Sequence, residues 1–222
     1  MMSGQLSTHF SIIEPDTPKA REAAMKLAFS DLKLGAHITY HVEMDGNGKP
    51  HVHASDKTHI GYSLSKAHLK PRKIAVQAIR LGEDVGVDIE YWPKQAADAA
   101  FLETISSKAD HRALELLRCT GHDAGVALWV IKEAALKFTG KVMVDPREVI
   151  VTPKGNSCFL VTSNFAQLQT EVSVLILNTI AEPDLVFILG LAQLSADNQP
   201  DDFRKLPFLR AFGWDLAYYS GC

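Results

Sequence analysis

The sequence predicts an α+β protein built from two comparable halves that meet near residue 84. Two observations carry this expectation. An amphipathic helical segment at 18–34 leads into alternating strand segments that run to residue 81, and the pattern then restarts with a strand, helices and further strands. No tandem repeat is visible at the level of residue identity.

The elements follow in order. PKAREAAMKLAFSDLKL (18–34) spaces Ala24, Leu27, Ala28, Leu32 and Leu34 among charges, with Gly35 as its stop. AHITYHVEM (36–44) alternates as a strand, DGNGKP is a turn, and HVHA (51–54) returns as a second strand. HIGYSLS (59–65) and KIAVQAIRL (73–81) read as paired strands separated by the basic segment KAHLKPRK. DVGVDIE opens the second half. Helices are expected over about 94–105, 108–119 and 122–138, the second opened by Ser107 with Asp110 three positions on, the third stopped at Thr139-Gly140. REVIV, SCFLVTS, EVSVLILNTI and LVFILGLAQ read as strands, and the aromatic tail after residue 193 is expected to pack back on the body. The expected halves are 1–83 and 84–222.

With 46% hydrophobic and 22% charged residues among 222, the chain can build a sizeable core. A formal net charge of -3 offers no global attraction to nucleic acid or anionic membrane, so an anionic ligand must meet a local basic patch. Cys119, Cys158 and Cys222 are odd in number and widely spaced, which fits a reducing cytoplasm. No apolar run approaches the ~20 residues that span a bilayer.

Two stretches carry chemistry. In DVGVDIEYW (84–92), Asp84, Gly86, Asp88 and Glu90 share one strand face, and Asp88 with Glu90 could reach one hard cation such as magnesium. A solvated strand face is the competing reading. In LWVIKEAALKFTGK (128–141), Trp129, Glu133 and Lys137 fall at i, i+4 and i+8, placing a carboxylate and an ammonium one helical turn apart. Such a pair is also common helix decoration. Lys66, His68, Lys70, Arg72 and Lys73 form the densest basic run, either a solvated loop or a phosphate-binding patch. His51-Val52-His53 puts two imidazoles on one strand face, but no third ligand has metal-site spacing with them.

Taken together, G-V-D-I-E and the W-x-x-K-E-A-x-x-K block forty-five positions downstream resemble the signature of the 4'-phosphopantetheinyl transferase superfamily. Gly48-Lys49-Pro50 is similar to that family's GKP turn, and YSLSKAH (62–68) to its F-N-x-S-H-S segment, in the order of the double-length type. The resemblance implies a monomeric pseudo-dimer of two similar α+β halves with the active site in the cleft between them. It implies a transferase that moves the phosphopantetheine arm of coenzyme A to a serine of an apo acyl or peptidyl carrier protein, releasing adenosine 3',5'-bisphosphate. Asp88 and Glu90 would hold Mg2+, with Asp110 as a third ligand unless it only caps its helix. Glu133 would serve as base for the serine, and Lys137 would assist the leaving phosphate and keep Glu133 ionised. Lys49, Ser65, Lys66 and Lys132 would bind coenzyme A, Lys66 standing where the family has histidine. Without the resemblance, a magnesium-dependent phosphohydrolase on a nucleotide or a non-catalytic binding module would also fit.

Overall fold

The computed structural model describes residues 8–32, 39–46, 48–54, 62–94, 99–141, 144–155, 157–164, 167–179, 182, 185–193 and 214–218. Residues 8–81 give β1 (Thr8–Ile13), α1 (Pro18–Asp31), β2 (Tyr40–Met44), β3 (Pro50–Ala54), β4 (Tyr62–Leu69) and β5 (Ile74–Leu81). The remainder gives β6 (Val85–Tyr91), α2 (Ala99–Ile105), α3 (His111–Arg118), α4 (Ala124–Thr139), β7 (Ile150–Pro153), β8 (Cys158–Ser163), β9 (Leu168–Thr179), β10 (Val186–Gln193) and β11 (Trp214–Tyr218).

Each half repeats one path: a strand, a helix packed on the sheet, then four antiparallel strands, the last returning beside the first. The first sheet runs β1-β5-β4-β3-β2 and the second β6-β10-β9-β8-β7. β11 pairs with Leu175–Thr179 of β9, the stretch beyond the part paired with β8. The expected α+β pseudo-dimer is therefore the observed architecture.

Three apolar clusters hold the layers together. α1 packs Met25, Ala28 and Phe29 on Val52, Tyr62, Leu64 and Ile79 of the first sheet. Between the sheets lie Phe10, Ala67, Leu69, Ile74, Val76 and Ala78 from one side and Val85, Val87, Ile89, Leu175, Leu189 and Leu191 from the other. On the far face of the second sheet, α4 brings Leu128, Ile131, Ala135 and Phe138 against Val172, Val174 and Ile188. The order is helix, sheet, sheet, helix, and alternation along each strand sends successive side chains to different layers.

Several boundaries differ from the sequence reading. β1 lies outside the sequence reading, and both its faces are covered: Phe10 points between the sheets while His9 and Ser11 are buried on the α1 side. α1 starts at the expected proline, with the Thr17 hydroxyl accepting from Ala20 N, but ends at Asp31; the proposed stop at Gly35 lies outside the described residues. β4 runs on through Lys66, Ala67 and His68, so half of the supposed basic loop is strand, and only Lys70–Arg72 form a short turn. Alternation explains it, since Ala67 and Leu69 carry the buried face onward while His68 stays exposed. No helix among the described residues is long and apolar enough to cross a membrane.

Candidate active site

α4 lies unusually close to the second sheet because two glycines make room for it. A Cβ on Gly86 of β6 would come within 2.0 Å of Ala134 O and 2.5 Å of Phe138 N, and one on Gly190 of β10 within 2.9 Å of Val130 O. Gly86 thus admits the helix backbone. Both helix ends are pinned. At the N-terminus, Asp123 Oδ1 accepts from Gly125 N (2.7 Å) and Val126 N, while the Trp92 indole donates to Asp123 O (2.9 Å) and stacks on His122. At the C-terminus, Gly140 adopts φ 73° and Lys49 Nζ donates to the orphan carbonyl of Phe138.

Because Gly86, Asp88 and Glu90 share a face, this close approach puts α4 directly above the carboxylates. Lys137 Nζ donates to Asp88 Oδ1 at 2.5 Å. Asp88 is 5% exposed, and its buried Oδ2 has no hydrogen-bond partner among the described residues. Burial pushes the Asp88 carboxyl above the ordinary carboxylate range, against the pull of Lys137. Glu90 and Glu133 are also raised, again chiefly by burial, and each feels the negative charge of Asp88. For Glu133 burial outweighs the opposing charge of Lys137, so the expectation that Lys137 simply keeps it ionised is corrected. The ammonium is bound to Asp88 instead.

Three half-buried or buried carboxylates against one ammonium leave negative charge uncompensated. An orphaned, buried carboxylate oxygen on Asp88 with Glu90 beside it is what a hard divalent cation would satisfy, so the residues fit Mg2+. Among the described residues, no three ligand-type side chains already converge on one point.

Asp110 and Lys132 form a buried lock. Asp110 and Lys132 are both fully buried, paired at 2.8 Å. Asp110 Oδ2 also accepts from Ser107 N and Ser107 Oγ in a capping box, and Oδ1 accepts from Val151 N at 2.8 Å. Lys132 Nζ donates further to Ile105 O (2.8 Å) and Pro146 O (2.9 Å). Every ammonium proton and both carboxylate oxygens are engaged inside the fold, so here Asp110 serves as cap and anchor and Lys132 as its counter-ion.

The other coenzyme candidates divide. Lys49 is buried, with its ammonium on Phe138 O and on Asp84 Oδ1 (2.5 Å), so it joins the halves. Ser65 accepts from Val87 N at 2.9 Å and Ser63 from Val85 N at 3.2 Å. Those two hydroxyls stitch β4 to β6 where the sheets meet. Lys66, one residue on, points to the opposite face, under α1; burial and the Arg21 charge lower its pKa, opposed by Asp16. Trp129, half-buried, packs edge-on to Phe101 against the core. Missed by sequence reasoning were the Trp92–Asp123 clasp and Gly190, whose only signal was a glycine inside a strand.

Residues 84–181 match the family model of the 4'-phosphopantetheinyl transferase superfamily, a span that contains β6 and α4 entire. No curated protein matches the chain significantly. The sequence signature and the doubled topology agree with this match, and residues 84–181 are similar to the 4'-phosphopantetheinyl transferase superfamily.

Proposed function

We propose that this protein is a magnesium-dependent phosphopantetheinyl transferase that converts an apo acyl or peptidyl carrier protein to its holo form with coenzyme A. The observation that carries the proposal is the convergence of Asp88 and Glu90 from β6 with Glu133 and Lys137 from α4, within the span of the family match. The halves 1–83 and 84–222 would act as one monomeric, cytoplasmic unit, with the cleft completed by the first half.

In the reaction the carrier serine oxygen forms a bond to the phosphorus bearing the pantetheine arm. The bond from that phosphorus to the bridging oxygen breaks, and adenosine 3',5'-bisphosphate leaves. Held by Asp88 and Glu90, Mg2+ would neutralise charge on the pyrophosphate oxygens. Glu133, with a raised pKa, suits a group that takes the serine proton near neutral pH, directly or through one water. Lys137 keeps two N–H donors beyond its bond to Asp88 and can direct them to the leaving phosphate. Lys66 with Arg21 forms a basic pair suited to a phosphate of the nucleotide, with lysine keeping the positive charge where the family has histidine.

The test is transfer from labelled coenzyme A to an apo carrier in magnesium. Glu133→Gln should lower kcat by about 100-fold or more with coenzyme A binding retained. Full activity in both Glu133→Gln and Asp88→Ala sinks the assigned roles. Product release without a carrier would identify a phosphohydrolase, and binding without transfer a non-catalytic module.

A further inference from the structure

The β2–β3 hairpin carries a second constellation, unconnected with the transfer reaction. His41 lies opposite His53, and Glu43 opposite His51, in antiparallel register. Alternation puts all four on one face. On the other face Val52 is fully buried under α1, so the hairpin backbone is anchored while the histidine face stays accessible to solvent. The His41 and His53 rings stack with centroids 5.1 Å apart and planes 20° from parallel. Diagonally, His53 Nε2 stands 3.6 Å from Glu43 Oε2, while His51 Nε2 is 3.2 Å from Asp45 Oδ2.

We propose that His41, His53 and Glu43, with His51 as a fourth ligand, bind a borderline-soft divalent metal ion such as zinc. Directly opposed residues of an antiparallel pair have Cβ atoms about 5 Å apart, a span that two imidazoles can close around one ion. Three imidazoles and one carboxylate are a donor set that favours zinc, nickel or copper over magnesium, so the site is chemically orthogonal to Asp88 and Glu90. The side chains do not yet converge on one point, so the site closes by rotation of the partly exposed rings about χ1 and χ2. That motion meets little resistance where the rings face water. Bringing two strands under one ion would also fasten the edge of the first sheet, whose turn Asp45–Lys49 reaches α4 through Lys49.

Zinc titration of the full chain by calorimetry, with chemical shifts of the histidine rings followed in parallel, tests the site. One equivalent should bind, with shifts at His41 and His53, in the wild type and equally in Asp88→Asn. His41→Ala/His53→Ala should weaken binding by about tenfold or more while magnesium-dependent transfer continues, and His111→Ala should change nothing. Undiminished zinc affinity in the double variant, no zinc binding at all, or loss of binding in Asp88→Asn would each overturn the proposal.

Discussion

The two halves share a chain path but differ in how deeply the helix sits on its sheet. In the second half, Gly86 and Gly190 on neighbouring strands let α4 rest its backbone on β6 and β10. In the first half, the topological counterparts β1 and β5 present Ser11 opposite Gln77 on the face toward α1, and β4 presents Lys66 in the same row. Gln77 is fully buried, with neither amide atom hydrogen-bonded. One architecture thus yields a closely packed helix that carries Glu133 and Lys137 over two carboxylates, and a second helix over a polar row. Where the helix can descend is decided by the absence of two Cβ atoms, not by the order of the strands.

The most damaging way to break the second half should be Lys132→Ala. It strands the Asp110 carboxylate in a fully buried site, and loss of one partner from such a pair costs about 3–5 kcal/mol. Chemical denaturation measures it, and unchanged stability would remove the lock from the account. Gly86→Ala comes next, since its Cβ would meet helix backbone that cannot move aside as a side chain can. A loss of about 3 kcal/mol is expected, with transfer activity falling further than that of Ala substitutions in β1. Ser65→Ala removes the acceptor of Val87 N at the junction of the sheets and should cost about 1–3 kcal/mol without altering the chemistry of the carboxylates.

The smallest effect has a distinctive sign. Asp88, Glu90 and Glu133 have folded pKa values above their unfolded ones, so the folded chain binds these protons more tightly. Their contribution to stability is present below the ordinary carboxylate range and is lost as pH rises through the raised values. In the metal-free protein, Asp88→Asn should therefore flatten the decline in Tm from about pH 4 upward and should weaken the stabilisation that magnesium confers. A decline that is the same in wild type and variant would show that Asp88 is not its source.

The stretch DVGVDIEYW was legible directly. Its alternation fixed a strand with Val85, Val87 and Ile89 on one face and acids on the other, and both faces turn out to be covered, one by the other sheet and one by α4. The helix carrying Glu133 and Lys137 and its stop at Gly140 were also legible, because 3.6-residue periodicity and glycine caps are local signals. β1 was not read as a strand although His9 and Ser11 alternate with Phe10 and Ile12; its long-range pairing with β5 is what fixes it.

What the sequence by itself determined was therefore the kinds of element, the doubled α+β plan and the identity of the acids and the lysine that meet on β6 and α4. Tertiary structure alone decided how lysines and serines of similar appearance divide their work. Lys49 closes a helix end, Lys132 neutralises a buried acid, Lys137 reaches Asp88 and Ser65 ties two sheets. A side chain's type states which bonds it can make, but its partner is set by contacts between segments distant in sequence, and only the packed layers bring those segments together.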